Sequence, residues 1–380
     1  MIVGGGVIGL AVARALAQRG LKDVVLIERG GLGAESSSAA AGMLAPQAEA
    51  DRAGEFFELA CQSRDMYPAF AAALLEETGI DIELETTGTL YLAFTSDDAM
   101  QLEKRYEWQH KAGLALEMLS GPDARQIEPA ISEKVCSALR FPLDSQVENR
   151  RLISALSAAA GNLGVRLLTG ITVTALKTGN RGVAGAETSR GFVSTSTIVV
   201  AGGAWTSLLG LTGAPGAATS DITLPNLRIE PVRGQMLCLE ANPQIARHVI
   251  YSPRGYVVPR RDGRLLVGST TERAGFDRRV TAAGVSALLS AAVEISPQIG
   301  ALPMTASWAG LRPRAADGLP VLGPYAEIEG LFYATGHYRN GILLTPITGE
   351  LIAGAVVDGV ESTTRSIFSP NRFDLVYVNQ

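Results

Sequence analysis

Histidine, cysteine and tryptophan are scarce in this chain, three of each among 380 residues. His110, His248 and His337 are too far apart in sequence to suggest a metal site. Cys61, Cys136 and Cys238 are odd in number and form no CxxC, which argues against a disulfide framework and fits a reducing, cytoplasmic setting. Basic charge is not in surplus either. The 33 Lys and Arg against 38 Asp and Glu leave a net charge of −5, so nothing electrostatic favours nucleic acid or an anionic membrane. No apolar run reaches the ~18–20 residues needed to span a bilayer. The first residues carry no basic n-region or cleavage site, so their apolar character is expected to belong to a first strand and helix.

Glycine is plentiful, with 42 residues, and its placement near the N-terminus is informative. Gly4-Gly5-Gly6-Val7-Ile8-Gly9 is followed by Val7, Leu10, Ala11 and Ala15 at the spacing of one apolar helix face. Val24-Val25-Leu26-Ile27-Glu28 then reads as a second strand ending in an acid. Strand, glycine turn, helix and acidic strand end together describe a Rossmann-type dinucleotide site. Gly4 makes the turn, Gly6 lets backbone approach a pyrophosphate, and Gly9 lets helix and strand pack closely. The helix N-terminus offers free N–H groups to phosphate. Glu28 suits ribose hydroxyls and argues against a 2′-phosphate, favouring FAD or NAD over NADP. Only Met1, Ile2 and Val3 precede the turn, so the first strand is short and the start is expected to have been set late or trimmed.

A chain of this length suggests two domains. Ser36 to Leu44, small hydroxyl residues followed by small apolar ones, suits a loop and helix start close to a ligand. Its serines can cap that helix or meet phosphate, and both readings stay open. Helices are expected over 55–78, 97–112, 150–161, 280–295 and 340–357, with a short one at 123–129. Strands are expected at 88–94, 165–168, 171–176, 198–200, 318–324 and 331–337. The stretch 211–227 reads as a connection. Runs at 232–239, 256–259 and 265–268, with the turn Arg261-Asp262-Gly263, favour an antiparallel sheet with hairpins.

The chain resembles the D-amino-acid oxidase family of flavoproteins nearly end to end. The resemblance lies in Val3 to Gly9 with Glu28, in Ser37-Ser38-Ala39-Ala40-Ala41-Gly42-Met43-Leu44 and in Val200-Ala201-Gly202-Gly203-Ala204-Trp205. It continues through 256–269, Trp308-Ala309-Gly310-Leu311-Arg312-Pro313 and Gly336-His337-Tyr338-Arg339-Asn340-Gly341-Ile342-Leu343-Leu344. It implies an α/β fold, α+β overall, in which a Rossmann-type FAD-binding domain carries an antiparallel-sheet substrate domain. The FAD domain would be discontinuous over 1–75, 140–218 and 306–360. The substrate domain would take 76–139 and 219–305, leaving 361–380 as a C-terminal segment.

FAD would be held without a covalent link, since no cysteine stands near Gly310-Leu311. Its contacts are expected from Gly4, Gly6, Val7, Ile8, Gly9, Glu28, Arg29, Ser37, Ser38, Ala41, Gly42, Met43, Leu44 and Val173. Ala201, Gly202, Trp205, Gly310, His337, Arg339, Asn340, Gly341, Ile342 and Leu343 complete the set.

The activity implied is oxidation of glycine and other small amines (sarcosine, small D-amino acids) by hydride transfer from the α-carbon to flavin. O2 would return the flavin to its oxidised form, giving H2O2, and the imine would serve the thiazole of thiamine. Arg312 would clamp the substrate carboxylate in two-pronged fashion, as a planar guanidinium can. Tyr256 would donate a phenol hydrogen bond to the same group, and Arg339 would make a second cationic contact. His337 is expected beside the isoalloxazine in a structural role. Read from spacing alone, Arg312 could instead pair with a surface acid such as Glu327, and Tyr256 could be a half-buried sheet aromatic.

Arg254 and Thr271 stand where a close relative carries histidine and methionine, and a polar pocket wall is expected there. Two alternatives remain: a D-amino-acid dehydrogenase passing electrons to a quinone, and a flavin-holding module without turnover. An NAD-using disulfide reductase is disfavoured, since a second GxGxxG and a redox CxxC are both missing. A homo-oligomer is left open.

Overall fold

Ile2–Val3 is a strand of only two residues, yet it pairs on both sides, with Val25–Ile27 and with Ile198–Val200. The computed structural model describes residues 1–179, 182–213, 227–359 and 366–373. In it the central sheet runs Val321–Pro324, Leu331–Thr335, Ile198–Val200, Ile2–Val3, Val25–Ile27, Arg166–Leu168. Every neighbouring pair is parallel except the first. This sheet joins the start, middle and end of the chain, and its inner strands are the buried, β-branched runs that parallel pairing requires.

Helix Val7–Gln18 packs between helices Asn149–Asn162 and Thr345–Asp358. Small residues allow the close approach: a Cβ on Gly349 would stand 3.1 Å from the Ala11 carbonyl oxygen. Helix Glu55–Thr78 covers the same core with Leu59, Tyr67 and Leu74 buried, while Phe56 and Phe70 are only partly so.

The second large sheet has eight strands, in the order Met304–Arg314, Glu230–Glu240, Arg264–Gly268, Gly255–Pro259, Val249–Ser252, Thr89–Ala93, Ser137–Phe141, Glu117–Ser120. Only Val249–Ser252 and Thr89–Ala93 run parallel. Side chains alternate between its faces. Leu237, Leu239, Leu265, Val267 and Val257 pack with helix Ala282–Ile295. Met236, Cys238, Leu266, Val258 and Tyr256 form a separate cluster on the other face. A four-stranded sheet (Gly191–Ser194, Gly182–Thr188, Val173–Gly179, Gly210–Gly213) flanks the first.

Most expected elements lie within a few residues of their places. Val249–Ser252 was not anticipated, and Gly210–Gly213 forms a strand where only a connection was read. The C-terminal helix begins at Thr345 rather than 340, because 340–344 form a turn closed by Leu344 N–H donating to Asn340. Two expected domain boundaries fall inside strands of the eight-stranded sheet, 139/140 within Ser137–Phe141 and 305/306 within Met304–Arg314. The boundary at 218/219 and most of 361–380 lie outside the described residues.

Candidate active site

A long cleft of ≈ 480 Å3 opens along the C-terminal ends of the parallel strands and reaches the eight-stranded sheet. Ligands bind at that edge of an open α/β sheet because loops and helix N-termini converge there. At one end the wall is mostly main chain. Gly4 has φ +110°, and a Cβ there would stand 2.4 Å from the Ala201 carbonyl oxygen, so the turn demands glycine. Gly6, the N-cap of helix Val7–Gln18, has no side chain, and Val7 N–H donates to Ser37 Oγ at 3.1 Å. Ser37 therefore braces the glycine turn.

Glu28 accepts from Gly5 N–H (2.7 Å) and Gly30 N–H (2.8 Å), which fixes its carboxylate at the cleft edge with lone pairs to spare. Arg29 lies 3.8 Å over the Trp205 ring and also pairs with Glu35 at 2.7 Å.

At the other end the wall consists of side chains. Arg312 lies beside Gly234 on the neighbouring strand, where any Cβ would come within 2.3 Å of the guanidinium. Arg312 donates to Ser269 Oγ (2.6 Å) and the Thr270 carbonyl (3.1 Å). Among the described residues it makes no ion pair within 4.0 Å. Burial, with the like charge of Arg339 nearby, draws it below the usual guanidinium range. A cation held by neutral acceptors on a cleft wall has the charge and the free donors to receive an anion.

Arg339 differs. It lines the same cleft but pairs with Glu49, Nη2 to Oε1 at 2.9 Å, and Tyr251 OH donates to the same oxygen at 2.9 Å. Glu49's charge and hydrogen bonds drive Arg339 well above its ordinary value. His337 is buried, shares a 3.0 Å hydrogen bond with Thr348 Oγ1, and is lowered by burial to about 3, so it is a neutral imidazole.

Of the positions expected to contact a cofactor, Gly4, Gly6, Val7, Ile8, Glu28, Arg29, Ser37, Val173, Ala201, Gly202, Trp205, Gly310, His337, Arg339, Gly341 and Ile342 line this cleft, as does Arg312. Others stand behind it for identifiable reasons. Gly9 packs on the turn, where a Cβ would be 2.0 Å from the Gly4 oxygen, and Ser38 donates to the Glu35 carbonyl at 3.1 Å. Leu44 and Leu343 are buried in the core. Ala41, Gly42, Met43 and Asn340 line a smaller neighbouring hollow of ≈ 40 Å3 with Glu49 and Arg339. Arg260, buried at the end of strand Gly255–Pro259, grips the Ala41 carbonyl at 2.6 Å and fixes that loop across the two sheets.

Tyr256 is buried with its hydroxyl 3.4 Å from Met236 Sδ, and Met236 faces the cleft in its place. The polar wall expected from Arg254 and Thr271 is not found. Arg254 reaches outward to Glu294 (2.5 Å) and Asp98 (3.5 Å), and Thr271 is exposed. Glu327 accepts from Tyr325 and does not pair with Arg312. Glu49, Gly234 and Met236 were missed. Only the proximity of Glu49 to the Ala-Gly-Met-Leu stretch could have drawn attention to it.

The model of the family described as DAO, FAD dependent oxidoreductase, matches residues 1–355. The chain belongs to this family. A glycine oxidase of Geobacillus kaustophilus is 39% identical over 357 residues, 93% of this chain and 92% of that protein. The crystal structure of glycine oxidase from Geobacillus kaustophilus superposes with a TM-score of 0.90 at 38% identity, covering 98% of this chain and 97% of the other. A bifunctional protein ThiO/ThiG of Trichormus variabilis is 36% identical over 98% of this chain, which spans 55% of that longer protein.

The cofactor of the family is FAD, and the cleft fits it. The glycine turn has no Cβ to obstruct a pyrophosphate, and a Cβ on Gly310 would strike Ala39 at 2.6 Å, so this wall has no spare room for larger residues. None of the three cysteines lines the cleft. Among the described residues no helix is long and apolar enough to cross a membrane.

Proposed function

We propose that the protein oxidises glycine and other small amines bearing one carboxylate, with O2 as acceptor. The observation that carries this reading is Arg312, a guanidinium on the cleft wall without an acidic partner among the described residues. A substrate carboxylate would complete it, with Ser269 and Thr270 holding the fork in plane and Gly234 leaving the space. FAD, when bound, supplies the two-electron acceptor for the α-carbon hydride and the centre at which O2 becomes H2O2.

Gly4, Gly6, Glu28 and the first turn of helix Val7–Gln18 would hold the nucleotide end, and Gly310, His337 and Gly341 the end nearest the substrate. His337 stays neutral, so it adds no charge beside the reacting amine. Tyr256 joins the carboxylate site if the Met236 thioether turns aside, a small rearrangement for so flexible a side chain. The FAD-binding unit takes the start, middle and end of the chain, and the substrate unit is the eight-stranded sheet with its covering helices. Similarity over 98% of the chain to bifunctional ThiO/ThiG proteins supports delivery of the imine to the thiazole of thiamine.

The test is aerobic peroxide release by the purified yellow protein with glycine, sarcosine, D-alanine and D-proline, beside a quinone-type dye. Peroxide from glycine at a kcat/KM matching or exceeding the others supports the oxidase. Turnover with the dye alone would make it a dehydrogenase, and bound FAD that no amine bleaches would leave a flavin-holding module.

A further inference from the structure

Three arginines line the cleft; Arg29 pairs with Glu35 and Arg339 with Glu49, and among the described residues Arg312 has no acidic partner. Arg339 is held by Glu49, and the carboxylate is held in turn by Tyr251, whose ring is buried between Tyr91 and Tyr256. Burial opposes ionisation of Glu49, but the charge and hydrogen bond of Arg339, the Tyr251 hydroxyl and the field of Arg312 outweigh it. The carboxyl lies below its usual range and is an anion throughout the neutral region.

Its position is built into the fold. Glu49 ends the short helix Pro46–Glu49, whose Gln47 and Ala48 N–H groups donate to buried Asp144 at 3.4 and 3.0 Å. Arg105 grips the Ala48 carbonyl at 2.6 Å. The hollow beside the pair is ≈ 40 Å3, room for about one water. A second acidic group on a substrate would meet Arg339 with Glu49 already bonded to two of its nitrogens, and would lie against the like charge of that carboxylate.

Building on the reading of Arg312 as the carboxylate clamp, we infer that Glu49 is a specificity-determining residue. As an internal anion on Arg339 it confines the site to amines with one carboxylate and turns away those with a second acidic group. The device is a repulsive element, and it works without narrowing the cleft.

Glu49→Gln tests this, because the amide keeps the shape of Glu49 and one oxygen for Arg339 Nη2 and Tyr251 OH, while the charge goes, with the acceptor for Arg339 Nε. kcat/KM would be measured for glycine and for iminodiacetate, an amine carrying two carboxylates, in both proteins. The iminodiacetate-to-glycine ratio should rise at least about tenfold in the variant, a figure independent of how much enzyme is active. Tyr251→Phe, which loosens the same carboxylate, should move the ratio the same way by less. Glycine turnover with the ratio unchanged in both variants overturns the inference. If the wild-type protein oxidises no amine, the proposed function fails while Glu49 is still decided by titrating iminodiacetate against the flavin absorbance. Binding about tenfold tighter in Glu49→Gln upholds the role, and equal affinity removes it.

Discussion

The two ends of the cleft are built on opposite plans. The end proposed for the nucleotide is mostly main chain, in which Gly4, Gly6 and Gly202 are valued for the atoms they lack, and Glu28 there is steadied by backbone N–H groups. The substrate end is made of long side chains from separate parts of the chain, with Arg312 facing Gly234 and Arg339 meeting Glu49 across 290 residues. Backbone sites tolerate few substitutions but serve one ligand shared across a family. Side-chain sites can be retuned one residue at a time.

That contrast predicts separable failures. The largest effect is expected for Arg312→Ala at the side-chain end. Glycine kcat/KM should fall by about 3–5 kcal/mol, roughly two to four powers of ten, with FAD content unchanged. Steady-state kinetics alongside flavin absorbance would show whether the two ends part in this way.

Gly9→Ala comes next, since its Cβ would meet the Gly4 carbonyl oxygen at 2.0 Å and main chain has little room to yield. A cost near about 3 kcal/mol should appear as lost FAD and a lowered melting temperature. Glu28→Ala removes the acceptor for Gly5 and Gly30 N–H and should weaken FAD by about 2 kcal/mol, read by flavin released on dialysis. A variant that stays fully yellow would take Glu28 out of the site.

The smallest effect is none: His337→Gln should leave the pH profile of kcat/KM unmoved between about pH 6 and 9. Burial lowers this imidazole to about 3 from an ordinary 6.5, so its contribution to stability is complete above pH 6.5 and is lost as pH falls toward 3. The variant should therefore lose less melting temperature on acidification.

The same contrast decides what the sequence could reveal. A glycine turn followed by an apolar helix face and an acidic strand end is local, so the first 28 residues announce their sheet and a dinucleotide, with FAD and NAD both left open. Long helices such as Glu55–Thr78 are equally local. The partner of Arg339 is not. Glu49 reaches it through tertiary folding, and neither residue's spacing names the other. Arg254 shows the reverse error: its match to a histidine of a relative suggested a pocket wall, but it lies in the two-residue turn between Val249–Ser252 and Gly255–Pro259 and reaches out to Glu294. Tyr256, expected at the substrate, does not line the cleft, because the Met236 thioether lies against its hydroxyl and faces the cleft instead.

The most direct test of this account is a titration of Arg312→Ala, still carrying its flavin, with glycolate, a carboxylate that cannot be turned over as an amine. FAD content should be equal in variant and wild type, with glycolate binding, read from the flavin spectrum, weakened at least about a hundredfold. Equal glycolate affinity in the two proteins would contradict it, and would mean that Arg312 does not receive the substrate.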